Sequence, residues 1–137
     1  MDSFGIFQVS ASALAAQRQR MNVIASNMAN AQTTKTADGT PYRKQDVVFT
    51  ADPLDASQPA LMGVKVESIV KDSAPFRMVF DPGHPDANAE GFVSLPNVNV
   101  IEEMVNMMMA SRAYEASVTS FNTAKSMFLK TLELGSV

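Results

Sequence analysis

NVNVIEEMVNMMMASRAYEASVTSFNTAKSMFLKTLEL, residues 97–134, is the stretch that decides the fold. It contains neither glycine nor proline, so no residue in it forces a break in a helix. Apolar residues recur at alternating steps of four and three, the spacing of a coiled-coil seam sustained over about four heptads. The positions on this seam are Val100, Met104, Met107, Ser111, Tyr114, Val118, Phe121, Lys125, Phe128 and Leu132. The pattern predicts one helix of roughly 55 Å.

Signals at both ends of this stretch place the start and the end of the predicted helix. Asn97 or Asn99 can cap the first turn, because a side-chain oxygen there accepts a bond from an otherwise unpaired backbone N–H. Glu102 and Glu103 lie near the positive end of the helix dipole, where acidic side chains are favourable. Gly135 is expected to end the helix.

A second apolar row runs beside the seam, through Ile101, Val105, Met108 and Met109. One partner helix covers only one narrow seam, so this helix has more apolar surface than a single neighbour buries. Two interpretations stay open. The helix is either a long core element of an ordinary bundle, or an element whose faces are buried against different neighbours in an assembly.

Residues 4–30 carry a second, shorter helical pattern. Its stripe comprises Phe7, Ser10, Leu14, Gln17, Met21, Ile24 and Met28, again at three-four spacing, and the helix is predicted to end near Asn27–Asn30. Asn27 and Asn30 share one helix face, so their side chains can bond the backbone of a turning chain or of a neighbouring subunit. A plain helix C-terminus with tolerated Asn residues is the other interpretation.

The middle of the chain, residues 35–96, holds every proline and is predicted to form a small β module. Four β-type runs occur in it, at residues 45–50, 63–70, 76–80 and 91–95. The second and third runs are predicted to pair as a hairpin across Ser73–Pro75, and the polar loop 81–91 follows. A sheet this small needs a partner surface, which the two helices offer.

Together these patterns predict an α+β fold in which the terminal helices pair as an antiparallel coiled coil around an inserted β module. The divisions are residues 1–34, 35–96 and 97–137. Both helices leave the module from the same end, which makes their pairing within one chain antiparallel. The expected facing residues are Leu14, Met21 and Met28 on one helix and Met107, Val118 and Phe121 on the other.

Composition argues against several classes of function. The formal net charge is −3 and the basic residues are scattered, so no nucleic-acid surface is expected. There is no apolar run long enough to cross a bilayer, so we do not expect an integral membrane protein. Cysteine is absent, which removes thiol catalysis and thiolate metal sites. Asp2 stands where a secretory signal carries a basic residue, so we expect no cleaved signal peptide.

The sequence predicts no catalytic residue, no cofactor and no metal site, and therefore no enzyme. His84 is the only histidine, and Asp81 and Asp86 near it form no recognised ligand spacing; a turn held by Asp side chains is the preferred interpretation. Glu102 and Glu103 are adjacent and point about 100° apart on a helix, so they cannot form a facing acid–base pair.

Three stretches resemble the axial proteins of the bacterial flagellum, the family of rod and hook proteins. The N-terminal SALAAQRQRMNVIASNMANAQTT, residues 12–34, resembles the family's helix and its Asn-containing element, here Ala25–Thr33. Residues 97–127 resemble the matching terminal helix. FDPGHPDANAEGFVSLPNVNV, residues 80–100, is similar to the proximal-rod members in particular.

This resemblance implies a structural subunit of the proximal rod, self- and co-assembling through its terminal helices into a helical tube that transmits torque and encloses the export channel. It implies a place in the periplasm and export by the flagellar type III apparatus. The implied partners are that apparatus and the rod proteins FlgB, FlgF, FliE and FlgG, with the MS ring as a further candidate. The expected assembly interface comprises Leu14, Met21, Ile24, Asn27, Met28, Asn30, Met104, Met107, Tyr114, Val118, Phe121, Phe128 and Leu132.

Two other functions remain open at this point. A soluble coiled-coil adaptor or chaperone of a secretion system would bind one partner and would not self-associate into an extended array. A cell-wall enzyme would need a catalytic constellation, and a muramidase assay tests for that activity.

Overall fold

The computed structural model describes residues 3–135; Met1, Asp2, Ser136 and Val137 lie outside the described residues, and with them the Asp2 argument about a signal. The elements in order are α1 (Ser3–Ala29), β1 (Gln45–Pro53), β2 (Met62–Lys71), β3 (Arg77–Phe80), β4 (Phe92–Leu95) and α2 (Val100–Gly135). Two long helices thus flank a small antiparallel β module, as the sequence predicts. No helix within residues 3–135 combines the length and the hydropathy that a membrane span requires.

The two helices pack against each other in opposite directions. At one end the ring of Phe7 meets the rings of Phe121 and Phe128 edge-on, at centroid distances of 5.1 Å and 6.1 Å. At the other end the side chain of Asn27 bonds to Glu103, 76 residues further along the chain. Within the subunit the helix pair is therefore antiparallel, as the sequence predicts.

The row of α2 that is buried in the subunit matches the predicted seam only in part. It passes through Glu103, Met107, Ala110, Tyr114, Ser117, Phe121, Ala124 and Phe128, of which Met107, Tyr114, Phe121 and Phe128 belong to the predicted seam. Glu103, Ala110 and Ala124 are its most buried members, and Phe128 at its end is 39% exposed. An alanine has no side chain beyond Cβ, so a row that contains alanines lets a neighbouring backbone come close. The predicted position Met104, by contrast, is 52% exposed.

The β1–β2 hairpin packs on α1, and Gly63 of β2 lies close to the helix. The strands pair antiparallel from Gln45 opposite Lys71, with a bulge between Val48 and Phe49. A Cβ atom at Gly63 would lie 2.7 Å from the Ser12 hydroxyl oxygen, so any larger residue there would displace that side chain. That hydroxyl donates a bond to the Val9 carbonyl and accepts one from the Val64 N–H.

The predicted hairpin between the second and third β runs is wrong. β2 pairs with β1, and β3 pairs with β4 in a separate two-stranded sheet. The reason lies in the carbonyls of Asp72 and Ala74, which accept bonds from Arg43 at 2.8 Å and 2.9 Å and also from the Asn97 amide. The Arg43 guanidinium lies 4.2 Å from the centroid of the Phe76 ring. These contacts hold the connecting segment against the start of β1 and the approach to α2, so the chain does not turn back onto β2.

Loop 81–91 instead returns the chain so that β4 pairs with β3. The Asn88 side-chain oxygen accepts bonds from the N–H groups of Glu90 and Phe92, and Gly91 has a φ of 84°. The Phe80 and Phe92 rings then meet edge-on, with centroids 5.2 Å apart. The Asn88 bonds and the positive φ of Gly91 form the turn that brings β4 alongside β3, so these two strands pair.

Candidate assembly surface

A buried polar cluster joins the end of α1, the start of β1 and the start of α2. Asn27 is 0% exposed and uses its whole side-chain amide. Its nitrogen donates to the carbonyl of Gln45 at 2.8 Å and to Glu103 Oε2 at 2.9 Å. Its oxygen accepts from the Tyr42 hydroxyl at 2.9 Å and from the Gln45 N–H at 3.0 Å. Asn27 therefore bonds a turning segment of its own chain, one of the two uses that the sequence allowed.

Glu103 is the carboxylate of this cluster and is only 1% exposed. Its second oxygen accepts a bond from Asn106 at 3.2 Å and lies 3.5 Å from the Lys44 ammonium. Burial alone would lower the pKa of Lys44, but the neighbouring carboxylates of Asp46, Glu102 and Glu103 outweigh burial and hold that pKa above its ordinary value. The buried charge of Glu103 is thus paired and hydrogen-bonded, as burial of a carboxylate requires.

The same junction explains how the two helices are capped. Asn99 caps α2, because its side-chain oxygen accepts bonds from the N–H groups of Ile101 and Glu102. Asn97 instead accepts from the Lys44 N–H at 2.8 Å. Asn30 bonds locally, donating to the Ser26 carbonyl. The bonds of Asn97 to Lys44 and of Asn27 to Gln45 therefore attach the β module to both helices, where α1 ends and α2 begins.

The residues expected at an assembly interface fall into two groups. Ile24 and Asn27 are buried, while Leu14, Met21, Met28, Asn30, Met107, Tyr114, Val118 and Phe121 are half-buried. Three others, Met104, Phe128 and Leu132, are 52%, 39% and 54% exposed. The first group is thus at least partly buried within the subunit. Of the exposed three, Phe128 still contacts the Phe7 ring, whereas Met104 and Leu132 are more than half exposed.

A continuous apolar surface lies on the side of α2 opposite the buried row. We call it the outer face and define it by Ile101, Met104, Val105, Met108 and Met109, which are 74%, 52%, 50%, 59% and 57% exposed. At 100° per residue these five positions cluster within one side of the helix. The predicted seam included Met104 alone of them; the neighbouring apolar row was visible in the sequence but was not assigned to the interface.

The outer face ends where polar residues take over the same side of α2. The next positions on that side are Arg112, Glu115 and Thr119, and all three are exposed. A second exposed apolar group lies at the end of the helix, with Leu129, Leu132 and Leu134 at 49%, 54% and 80% exposure. The polar segment thus separates the outer face from these exposed leucines, which point to different sides of the helix.

Sequence reasoning missed Glu103 as a structural residue and treated it as a favourable charge near the helix dipole. One signal could have revealed it. Glu103 lies four residues before Met107 and seven before Ala110, so it belongs to an alternative four-three row that includes small residues. A carboxylate on such a row needs a buried partner, and Asn27 is a polar residue on the other helix.

Among residues 3–135 no group of three or more His, Asp and Glu side chains is arranged to hold a metal ion. His84 and Asp86 take part in turns instead. The Asp86 N–H donates to His84 Nδ1 at 3.0 Å, and the Asp86 carboxylate accepts a bond from Thr34 at 2.7 Å.

Comparison with known proteins shows the family to which the chain belongs. Residues 7–35 match the family described as "Flagella basal body rod protein", and residues 89–134 match "Flagellar basal body rod FlgEFG protein C-terminal". The chain is 51% identical to the flagellar basal-body rod protein FlgC of Salmonella typhimurium over 135 residues, covering 98% of this chain and 99% of that protein. The chain belongs to the FlgC family of flagellar basal-body rod proteins.

More distant members of the FlgC family match over the same extent. The Bacillus subtilis and Borreliella burgdorferi proteins named FlgC are each 42% identical, and each match covers 98% of this chain. Membership of the FlgC family makes the chain a structural component of the flagellar basal-body rod and not an enzyme. It gives no support to a soluble adaptor or chaperone.

Proposed function

We propose that this chain, as a structural subunit of the flagellar rod, assembles through its terminal helices into the proximal part of a helical tube that transmits torque and surrounds an export channel. The observation that carries the proposal is the outer face of α2. Five apolar side chains, each at least half exposed, lie opposite the row that α1 already covers. Such a patch on a small subunit marks a surface for protein contact.

The geometry of the helix pair supports a head-to-tail arrangement of copies. α2 has 36 residues and α1 has 27, so α2 is the longer helix by about 13 Å. The exposed leucines Leu129, Leu132 and Leu134 lie at the end of α2, far along the helix from the outer face. Exposed apolar residues at two separate places on one subunit permit a heterologous contact, and a heterologous contact that does not close generates a helical array.

Within each subunit, we propose that α1 and α2 form a coiled coil in the assembled rod. The buried row of α2 keeps alternating steps of four and three from Glu103 to Phe128, which is the coiled-coil spacing. Asn27 and Glu103 would fix its register at one end, because a buried polar pair is satisfied in only one alignment. The divisions 1–34, 35–96 and 97–137 would then be two arms of one helical domain with a β module between them.

The proposed partners and place follow from the family resemblance. The neighbours would be the rod proteins FlgB, FlgF, FliE and FlgG, with the MS ring as a further contact. The flagellar type III apparatus would export the chain without a cleaved signal, and the rod would lie in the periplasm.

The outer face is tested by placing a charge on it. Met108→Asp adds a carboxylate to a surface that would lose water on assembly, and burying an unpaired charge is strongly unfavourable. We expect cells whose only copy carries Met108→Asp to export the chain, to leave it out of basal bodies and to lose swimming. Motility on soft agar and immunoblots of isolated basal bodies give the result.

Thr119→Asp is the matched control, because Thr119 is exposed on the same side of α2 within its polar segment. It adds the same charge and should leave motility and incorporation unchanged. Normal incorporation of the Met108→Asp chain would exclude the outer face as an assembly contact.

A further inference from the structure

Three methionines dominate the outer face of α2. Met104, Met108 and Met109 are 52%, 59% and 57% exposed, so solvent and small solutes reach their side chains in the free subunit. Met107, in the same run of sequence, lies on the buried row and is half-buried. The chain therefore presents a group of accessible thioethers at one place, beside one that is partly shielded.

Accessible thioethers react with peroxides without any catalyst. Hydrogen peroxide transfers one oxygen atom to the methionine sulfur: an S–O bond forms, the O–O bond breaks, the sulfur loses two electrons and the peroxide leaves as water. The chain has no cysteine, so no thiol of its own competes for the oxidant. Sulfoxide reductases reverse the change at the expense of a thiol reductant.

We propose that Met104, Met108 and Met109 form an oxidant-sensitive site at which hydrogen peroxide blocks packing of the outer face. Oxidation turns a flexible apolar side chain into a polar one whose oxygen needs a hydrogen-bond donor. The side chains between these methionines on the outer face, Ile101 and Val105, offer none. Three unpaired sulfoxides would therefore oppose burial of this surface. This inference rests on the proposed use of the outer face as an assembly contact.

The first measurement concerns the free subunit. The purified full chain is treated with hydrogen peroxide, and oxygen addition at each methionine is followed over time by peptide mass spectrometry. The sulfurs of Met104, Met108 and Met109 should oxidise at least about threefold faster than those of Met107 and Met28, which are half-buried. Equal or slower oxidation at the three would overturn the proposal.

The second measurement separates oxidation from the contact itself. A chain with Met104→Gln, Met108→Gln and Met109→Gln imitates the polarity of the sulfoxides, while the triple Leu chain keeps the surface apolar at nearly the same volume. The Gln chain should be absent from isolated basal bodies, and the Leu chain should be incorporated and should resist peroxide. If Met108→Asp blocks incorporation but the Gln chain enters normally, the oxidation proposal fails and the assembly contact stands. If both enter normally, the assembly contact fails too.

Discussion

Asn27 shows how much one buried polar side chain can fix in this protein. Its amide bonds the backbone of Gln45 through both a donor and an acceptor, and it also holds the Glu103 carboxylate. Asn27 and Glu103 are 0% and 1% exposed, so water does not replace a partner that either side chain loses. The residue thus couples the helix pair to the β module and sets where β1 begins.

Asn27→Asp should destabilise the subunit without changing the shape of the side chain. A carboxylate cannot donate to the Gln45 carbonyl, and it adds a negative charge next to Glu103. We expect the free energy of unfolding to fall by about 1–3 kcal/mol, the cost of leaving buried polar groups unsatisfied. Urea denaturation followed by circular dichroism measures it.

Asn22→Asp makes the same chemical change on the same helix at an exposed position. Its effect should stay within about 0.5 kcal/mol, as for ordinary surface substitutions. Equal stabilities of the two variants would show that the cluster contributes little to the fold.

For the buried polar cluster, the sequence indicated Asn27 and missed its partner Glu103. Asn27 stood out because it is one of two Asn residues on one helix face near a turn. Glu103 did not, because an acidic residue in a first helical turn already has an ordinary explanation in the helix dipole. Which residue a buried side chain meets 76 positions away is a property of the tertiary fold.

Secondary structure was more predictable than the pairing of its elements. The two helices and the four β runs follow from hydrophobic spacing and from the positions of Gly, Pro and Asn. The strand with which β2 pairs cannot be predicted in this way. It depends on the side chains of Arg43 and Asn97, which donate hydrogen bonds to the carbonyls of Asp72 and Ala74. Side chains from distant parts of the chain therefore decide the topology of the module.

Two glycines offer a matched test of the β3–β4 hairpin. Gly91 and Gly39 both have positive φ, 84° and 76°, so Ala is strained at either position. A Cβ atom at Gly91 would also lie 2.9 Å from the Phe80 ring, whereas at Gly39 it would meet nothing within 4 Å. Gly91→Ala should therefore lower the unfolding free energy by about 1–3 kcal/mol more than Gly39→Ala, as overpacking does elsewhere.

Hydrogen exchange of the β3 amides provides the local measurement for the same pair. Protection of the strand should decrease in Gly91→Ala and persist in Gly39→Ala. Equal protection in both variants would mean that contact between the loop and Phe80 does not stabilise the hairpin.

For the whole molecule, hydrophobic spacing does not say which side of a helix is buried within the subunit. α2 carries apolar residues around much of its circumference, and the buried row contains Ala110 and Ala124 while larger residues such as Met108 point outward. Alanines suit positions where two helices approach closely, and Met107, Tyr114 and Phe121 lie on the same row. The sequence pattern followed the large apolar residues and therefore did not assign the alanines to this row.

The arrangement of the helices in the assembled state can be tested with introduced cysteines, because the chain has none of its own. Phe7 and Phe121 are in ring contact within one subunit, so Phe7→Cys with Phe121→Cys should be joined by a short bis-maleimide within single chains. In basal bodies the product should migrate as a monomer on a denaturing gel. Phe7→Cys with Met108→Cys is the control, since Met108 lies on the outer face and about 20 Å along the helix from Phe121; no link within a chain should form there. Dimers from the first pair would mean that neighbouring subunits exchange helices in the rod, and the proposed coiled coil within each chain would be wrong.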